Sequence, residues 1–137
     1  MKSVPWSFRI VRRRVRRALR RSSRAAHAKY LEHKEAARAL VHARLAHFNQ
    51  FYGFTYGSVA IRDQRSRWGS CSSAGNLNFN YRIALLPPHL SDYVIVHELC
   101  HRGEFNHSQR FWDLVARVMP DYLALRAELK AIRLSSI

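Results

Sequence analysis

Acidic residues are scarce in this sequence: 9 Asp and Glu stand against 24 Lys and Arg, and none occurs before Glu32. The shortage is uneven. Residues 1–48 carry 14 basic and 2 acidic side chains, whereas residues 49–137 carry 10 and 7. Most of the net charge of +15 therefore sits in an N-terminal arm, and the remainder is close to balanced. Cysteine is also scarce. Two residues, Cys71 and Cys100, are too few for a disulfide framework, and their default role is that of small buried side chains in a reducing, cytoplasmic setting. With 5 Gly and 4 Pro the chain is neither collagen-like nor low-complexity. No apolar run approaches the roughly 20 residues of a membrane span, and the N-terminus lacks the apolar core of a secretory signal. What is present is a globular composition, 47% hydrophobic over 137 residues, enough for one domain with one core.

Residues 1–24 contain Arg12-Arg13-Arg14, Arg16-Arg17, Arg20-Arg21 and Arg24. As a helix this segment has a thin stripe of Val11, Val15 and Leu19; as a strand it alternates Trp6, Phe8 and Ile10, and both forms are open. Clustered arginines attract phosphate, so residues 9–24 are a candidate nucleic-acid contact, with a solvated arm or an organelle presequence as the plainer readings. From Ser23 to Tyr52 the spacing of Ala37, Leu40, Val41, Leu45, Phe48 and Tyr52 predicts a helix that Gly53 stops. Strands are expected over Phe54–Arg62, Arg65–Ser72 and Leu77–Leu85, the last two joined as a hairpin by Ser73-Ala74-Gly75-Asn76. Pro87-Pro88 opens a helix running to about Arg102, Ser108 caps a second, and a third covers Tyr122 to Leu134. Helix, sheet, then helices is an α+β order.

The chemistry lies in His97-Glu98-Leu99-Cys100-His101. At about 100° per residue, His101 falls about 40° round the helix from His97, and Glu98 about 100° round. Both imidazoles can reach one metal, and Glu98 flanks them without being needed as a ligand. Neutral imidazole suits zinc, and catalytic zinc sites use three protein ligands and a water. His107, six residues beyond His101 and past Gly103, is the preferred third ligand. Glu104 competes if the helix continues. The constellation predicts peptide hydrolysis through a metal-activated water, with Glu98 as general base.

These residues sit in a wider pattern. Arg67-Trp68-Gly69-Ser70-Cys71-Ser72, Gly75-Asn76-Leu77-Asn78-Phe79-Asn80-Tyr81, the segment Asp92–His101, and Asn106-His107-Ser108 with Phe111-Trp112 together resemble the YgjP-like metallopeptidases, a zincin group related to SprT-like and WLM proteases. The likeness spans about residues 30 to 123. It implies one zinc ion on His97, His101 and His107, a catalytic Glu98, and a zincin-like fold: a small antiparallel-containing sheet against the active-site helix, with a long N-terminal helix and C-terminal helices. The family's usual β-rich segment before the first helix is short and arginine-rich here. By analogy with zincins, an edge formed by the Asn78–Arg82 strand or the Arg67–Cys71 strand would bind an extended peptide. Trp68, Asn78 and Asn80 are then candidate substrate contacts, and Tyr81, Arg82 and Tyr122 candidate oxyanion stabilisers. The competing view makes Trp68 and Phe79 core.

Two rival functions remain at this point. Gly69-Ser70-Cys71 superficially resembles a papain-type nucleophile segment, but Cys71 precedes a hairpin turn and not a helix. A nucleic-acid-binding module with a structural zinc would need a fourth protein ligand. A merged version, a protease recruited to DNA by its arm, is compatible with the SprT-like resemblance. The expected organisation is a basic arm over residues 1–24 and one zincin-like domain over residues 25–137, acting on a protein or peptide substrate.

Overall fold

The computed structural model describes residues 6–137, with side chains from residue 10. Residues 1–5 of the expected arm lie outside the described residues. The chain divides into two compact units, Met1–Glu32 and His33–Ile137.

In the first unit, helix α1 begins at Trp6, so the helical alternative for the arm holds and the strand alternative does not. The same element is assigned through Tyr52. Its end is built by Asn49: Gly53 takes φ 69°, its N–H donates to the Asn49 carbonyl, and the Asn49 side chain exchanges two 2.8 Å hydrogen bonds with the Phe54 main chain. Gly53 thus supplies the left-handed residue that stops the helix.

In the second unit, Ala37, Val41, Leu45 and Phe48 form the buried face of α1. A three-stranded sheet follows, with β1 Val59–Arg62, β2 Gly69–Cys71 and β3 Leu77–Asn80. Its order is β1-β3-β2, with β1 parallel and β2 antiparallel to β3. The hairpin is as expected, and Gly75 turns it at φ 90°. The strands are shorter than the alternation suggested. After Asn80 the chain tightens into a 3-10 turn, Tyr81–Leu85, because the Asn80 side chain accepts a hydrogen bond from the Arg82 N–H and caps it.

Helix α2, Pro88–Cys100, is the axis of this unit. It packs against β2, the 3-10 turn, α3 (Gln109–Ala116) and α4 (Tyr122–Ala131). Leu90, Val94, Ile95, Val96, Leu99 and Cys100 are all buried, so the helix is apolar on nearly every side. A helix of that kind is stable only when surrounded, and each such side chain contributes about 1.5–3 kcal/mol on burial. Arg44 grips Asp92 with two bonds of 2.8 and 3.0 Å, tying α2 to α1 within the unit. The architecture is the expected α+β arrangement.

Candidate metal centre

The last turn of α2 carries His97, and the helix ends at Cys100 with His101 as its cap. Gly103 then reverses the chain. A Cβ there would lie 2.6 Å from the Phe54 ring and 2.9 Å from Leu114, so a side chain at this position would force those two to move. The three imidazoles converge. Nε2 of His101 lies 3.3 Å from Nε2 of His97 and 3.1 Å from that of His107, and the third side of the triangle is also 3.1 Å. His101 Nδ1 donates to the Glu104 carbonyl at 3.1 Å, which leaves its Nε2 lone pair facing the other two rings. Where all three nitrogens present lone pairs to one point they repel one another, and a cation among them removes that repulsion. The cluster is the candidate metal site among the described residues.

Packing holds the rings. Phe111, fully buried, stacks on His101 at 4.4 Å and meets His97 and His107 edge-on at 4.9 and 5.1 Å. Trp112 stacks on His107 at 5.8 Å. Burial, with the neighbouring histidines and Arg126 adding to it, pushes His97 down to about 3, and burial also lowers His101. Both imidazoles are therefore neutral at physiological pH, the form in which a ring nitrogen can bind a metal.

Glu98 points into the same region. It is 6% exposed, and burial pushes its carboxyl up to about 8, against a smaller opposing pull from Arg67. Gly69 of β2 presses on it: a Cβ there would sit 2.9 Å from Glu98 Cγ and 3.1 Å from the Asn78 carbonyl oxygen. The glycine clears the space in which the carboxylate stands. A cavity of about 210 Å³ opens beside it, lined by Trp68, Gly69, Tyr93, Val94, His97, Glu98, Arg126, Leu129 and Lys130.

The remaining sequence candidates are dispersed. Trp68 lines this cavity. Glu104 is not in the cluster; it offers a main-chain carbonyl to His101. Asn80 is fully buried, and its amide donates to the Gln64 and Arg67 carbonyls, so it braces the loop before β2 and is closed to substrate. Asn78 is half-buried on β3, the central strand, whose two edges are both paired. That removes the Asn78–Arg82 segment as a docking edge and leaves β2. Tyr81 is fully buried and stacks on His33, while Arg82 pairs with Asp63 at 2.9 Å; neither lines the cavity. Tyr122 stacks on Trp112 at 5.1 Å, one ring removed from His107. Tyr93 and Arg126 were missed by sequence reasoning. Tyr93 falls inside the Asp92–His101 segment without a role of its own there, and Arg126 lies in no motif; the two meet at the cavity because α4 packs on α2. Cys71 and Cys100 are free thiols, and burial raises both, which is the opposite of an activated nucleophile.

The model of the YgjP-like metallopeptidase domain matches residues 7–132. The chain belongs to the YgjP-like metallopeptidase family. The match runs beyond the 30–123 expected from motifs and includes the arginine-rich segment. Among curated proteins nothing matches the sequence. Two solved structures share the fold of this YgjP-like chain. The metallopeptidase zymogen of Pyrococcus abyssi abylysin superposes with a TM-score of 0.61 at 23% identity, over 66% of this chain and 92% of that one. The metallopeptidase zymogen of Methanocaldococcus jannaschii jannalysin gives 0.52 at 21%, over 70% and 97%. The family makes this protein a metallopeptidase, and no helix among the described residues is long and apolar enough to cross a membrane.

Proposed function

We propose that the protein is a zinc-dependent endopeptidase in which His97, His101 and His107 hold one zinc ion and Glu98 is the general base. The observation that carries this is the triangle of Nε2 atoms, 3.1–3.3 Å on a side, with a buried carboxylate opening into the adjoining cavity. Ligands about 2.0–2.1 Å from a tetrahedral zinc lie about 3.3–3.4 Å apart, close to these separations. Three imidazoles are a zinc-type donor set, and three ligands instead of four fit a catalytic site better than a structural one.

When bound, zinc supplies Lewis acidity, acidifying a water and polarising the peptide carbonyl. Glu98 takes the proton from the attacking water and delivers it to the leaving amine. Its elevated proton affinity suits the second task, and a neighbouring divalent charge favours the ionised form needed for the first. Tyr93, which burial pushes up to about 12, stays a phenol and can donate toward the cavity. The unpaired edge of β2 is positioned for an extended peptide to add as a strand, with Trp68 packing on its side chains. Arg126 and Lys130 line the cavity and disfavour a basic substrate residue there.

Residues 25–137 are the proposed catalytic domain, and the two free thiols suit a reducing cytoplasm. A nucleic-acid contact through residues 9–24, recruiting the peptidase to DNA, rests on the arginines alone. The deciding experiment is cleavage of a quenched-fluorescent protein substrate with chelator, after zinc is restored, and by Glu98→Gln. Loss, recovery and loss are expected. Undiminished cleavage by Glu98→Gln would remove Glu98 from the mechanism.

A further inference from the structure

The first unit contains a surface that peptide hydrolysis does not use. From residue 10 to residue 26 the chain is helical, and all but Ala26 of these residues are exposed. At about 100° per residue, Val11, Val15, Ala18, Leu19, Ala25 and Ala26 fall within an arc of about 120°, interrupted by Ser22 alone. Arg12, Arg13, Arg14, Arg16, Arg17, Arg20, Arg21 and Arg24 all fall on the other side, over about 200°. Ile10 is the single apolar residue among them. The stripe is bare: Val11 is 58%, Val15 51% and Leu19 64% exposed. The segment has no carboxylate of its own, because the first in the chain is Glu32.

We propose that this part of α1 is a peripheral membrane-binding helix that lies in the plane of an anionic lipid surface. Two features must be explained together, and a lipid surface explains both. The arginine face meets lipid phosphates and the negative surface potential, while the Val11–Val15–Leu19 stripe sinks into the boundary between headgroups and acyl chains. Arginine stems are long enough to hold the charge at the headgroup level while the helix axis sits lower. Nucleic acid satisfies the arginines but leaves the apolar stripe in water. A second copy of the helix would cover the stripe but would press two arginine-rimmed edges together. With no transmembrane span among the described residues, attachment of this kind is reversible and lies on the bilayer. This proposal does not depend on the peptidase mechanism.

The test is flotation of the full-length protein with phosphatidylcholine vesicles, with and without phosphatidylglycerol, compared with a mobility shift on a DNA duplex. Val15→Gln with Leu19→Gln keeps both the charge and the helix propensity. Arg16→Gln with Arg20→Gln keeps the stripe. The expected result is binding to the anionic vesicles only, weakened about tenfold or more by the first pair of substitutions and about fivefold per arginine by the second. All four positions are exposed, and circular dichroism of each variant verifies that folding is retained. Absence of binding to anionic vesicles would overturn the proposal. So would vesicle binding that the Val15/Leu19 pair leaves unchanged. DNA binding indifferent to that pair, without vesicle binding, would assign the helix to nucleic acid instead.

Discussion

Replacing Glu98 by glutamine should abolish peptidase activity and at the same time stabilise the metal-free protein at neutral pH. The carboxyl is 6% exposed, and burial moves it from its ordinary value of 4.5 to about 8. An acid whose folded value lies above its unfolded one contributes full stability below the unfolded value and loses it as pH rises through the folded value. The window for Glu98 therefore runs from 4.5 to about 8. At 1.36 kcal/mol per pH unit, the native state loses about 3 kcal/mol between pH 5 and pH 7.5 from this group alone. Glutamine fills the same volume and does not ionise, so the variant lacks that slope. The assay is urea unfolding of chelator-treated wild type and Glu98→Gln at both pH values. Every other titrating group is common to the two proteins, so the difference between their pH dependences isolates residue 98. A gap widening by about 3 kcal/mol, or roughly 10 °C in Tm for a domain of this size, is expected. Parallel pH profiles, or a variant less stable at pH 7.5, would show that burial does not raise the Glu98 carboxyl in this way.

Gly69→Ala places a methyl group 2.9 Å from Glu98 Cγ; it should lower kcat while metal content, read by atomic absorption, stays at the wild-type value. Glu104→Ala should leave metal content and activity within about twofold of wild type, because Glu104 contributes to His101 a main-chain carbonyl that the substitution keeps. Phe111→Ala removes the ring beneath all three histidines and should cost about 3–5 kcal/mol in urea unfolding, with weaker metal retention. Burial holds His97 at about 3, so protonation of this proposed ligand sets in well below the pH 6.5 of an ordinary imidazole; dialysis across a pH series should find metal retained at pH 5.5.

The helix bearing His97 and Glu98 was legible because its signal is local. A five-residue motif, an apolar body and a glycine stop all fall within one stretch of chain. The return of His107 was legible for the same reason, since Gly103 marks the reversal. The alternation through Leu77–Leu85 misled, because Asn80 turns its side chain inward and caps a 3-10 turn. That placed Tyr81 and Arg82 in a strand, and the asparagines at a cleft, when β3 is the central strand. Tyr93 and Arg126 did not stand out because which residues line the cavity depends on how α4 lies against α2. Gly69 was visible as a motif residue, but its purpose, leaving room for Glu98, appears only once β2 is packed on the helix.

The proposed catalytic zinc depends on three histidines, His97, His101 and His107. Zinc content per chain, measured by atomic absorption on purified wild type and His107→Ala, tests it most directly. One zinc per wild-type chain is expected, with most of it lost in His107→Ala. A full complement of zinc in the variant would contradict it.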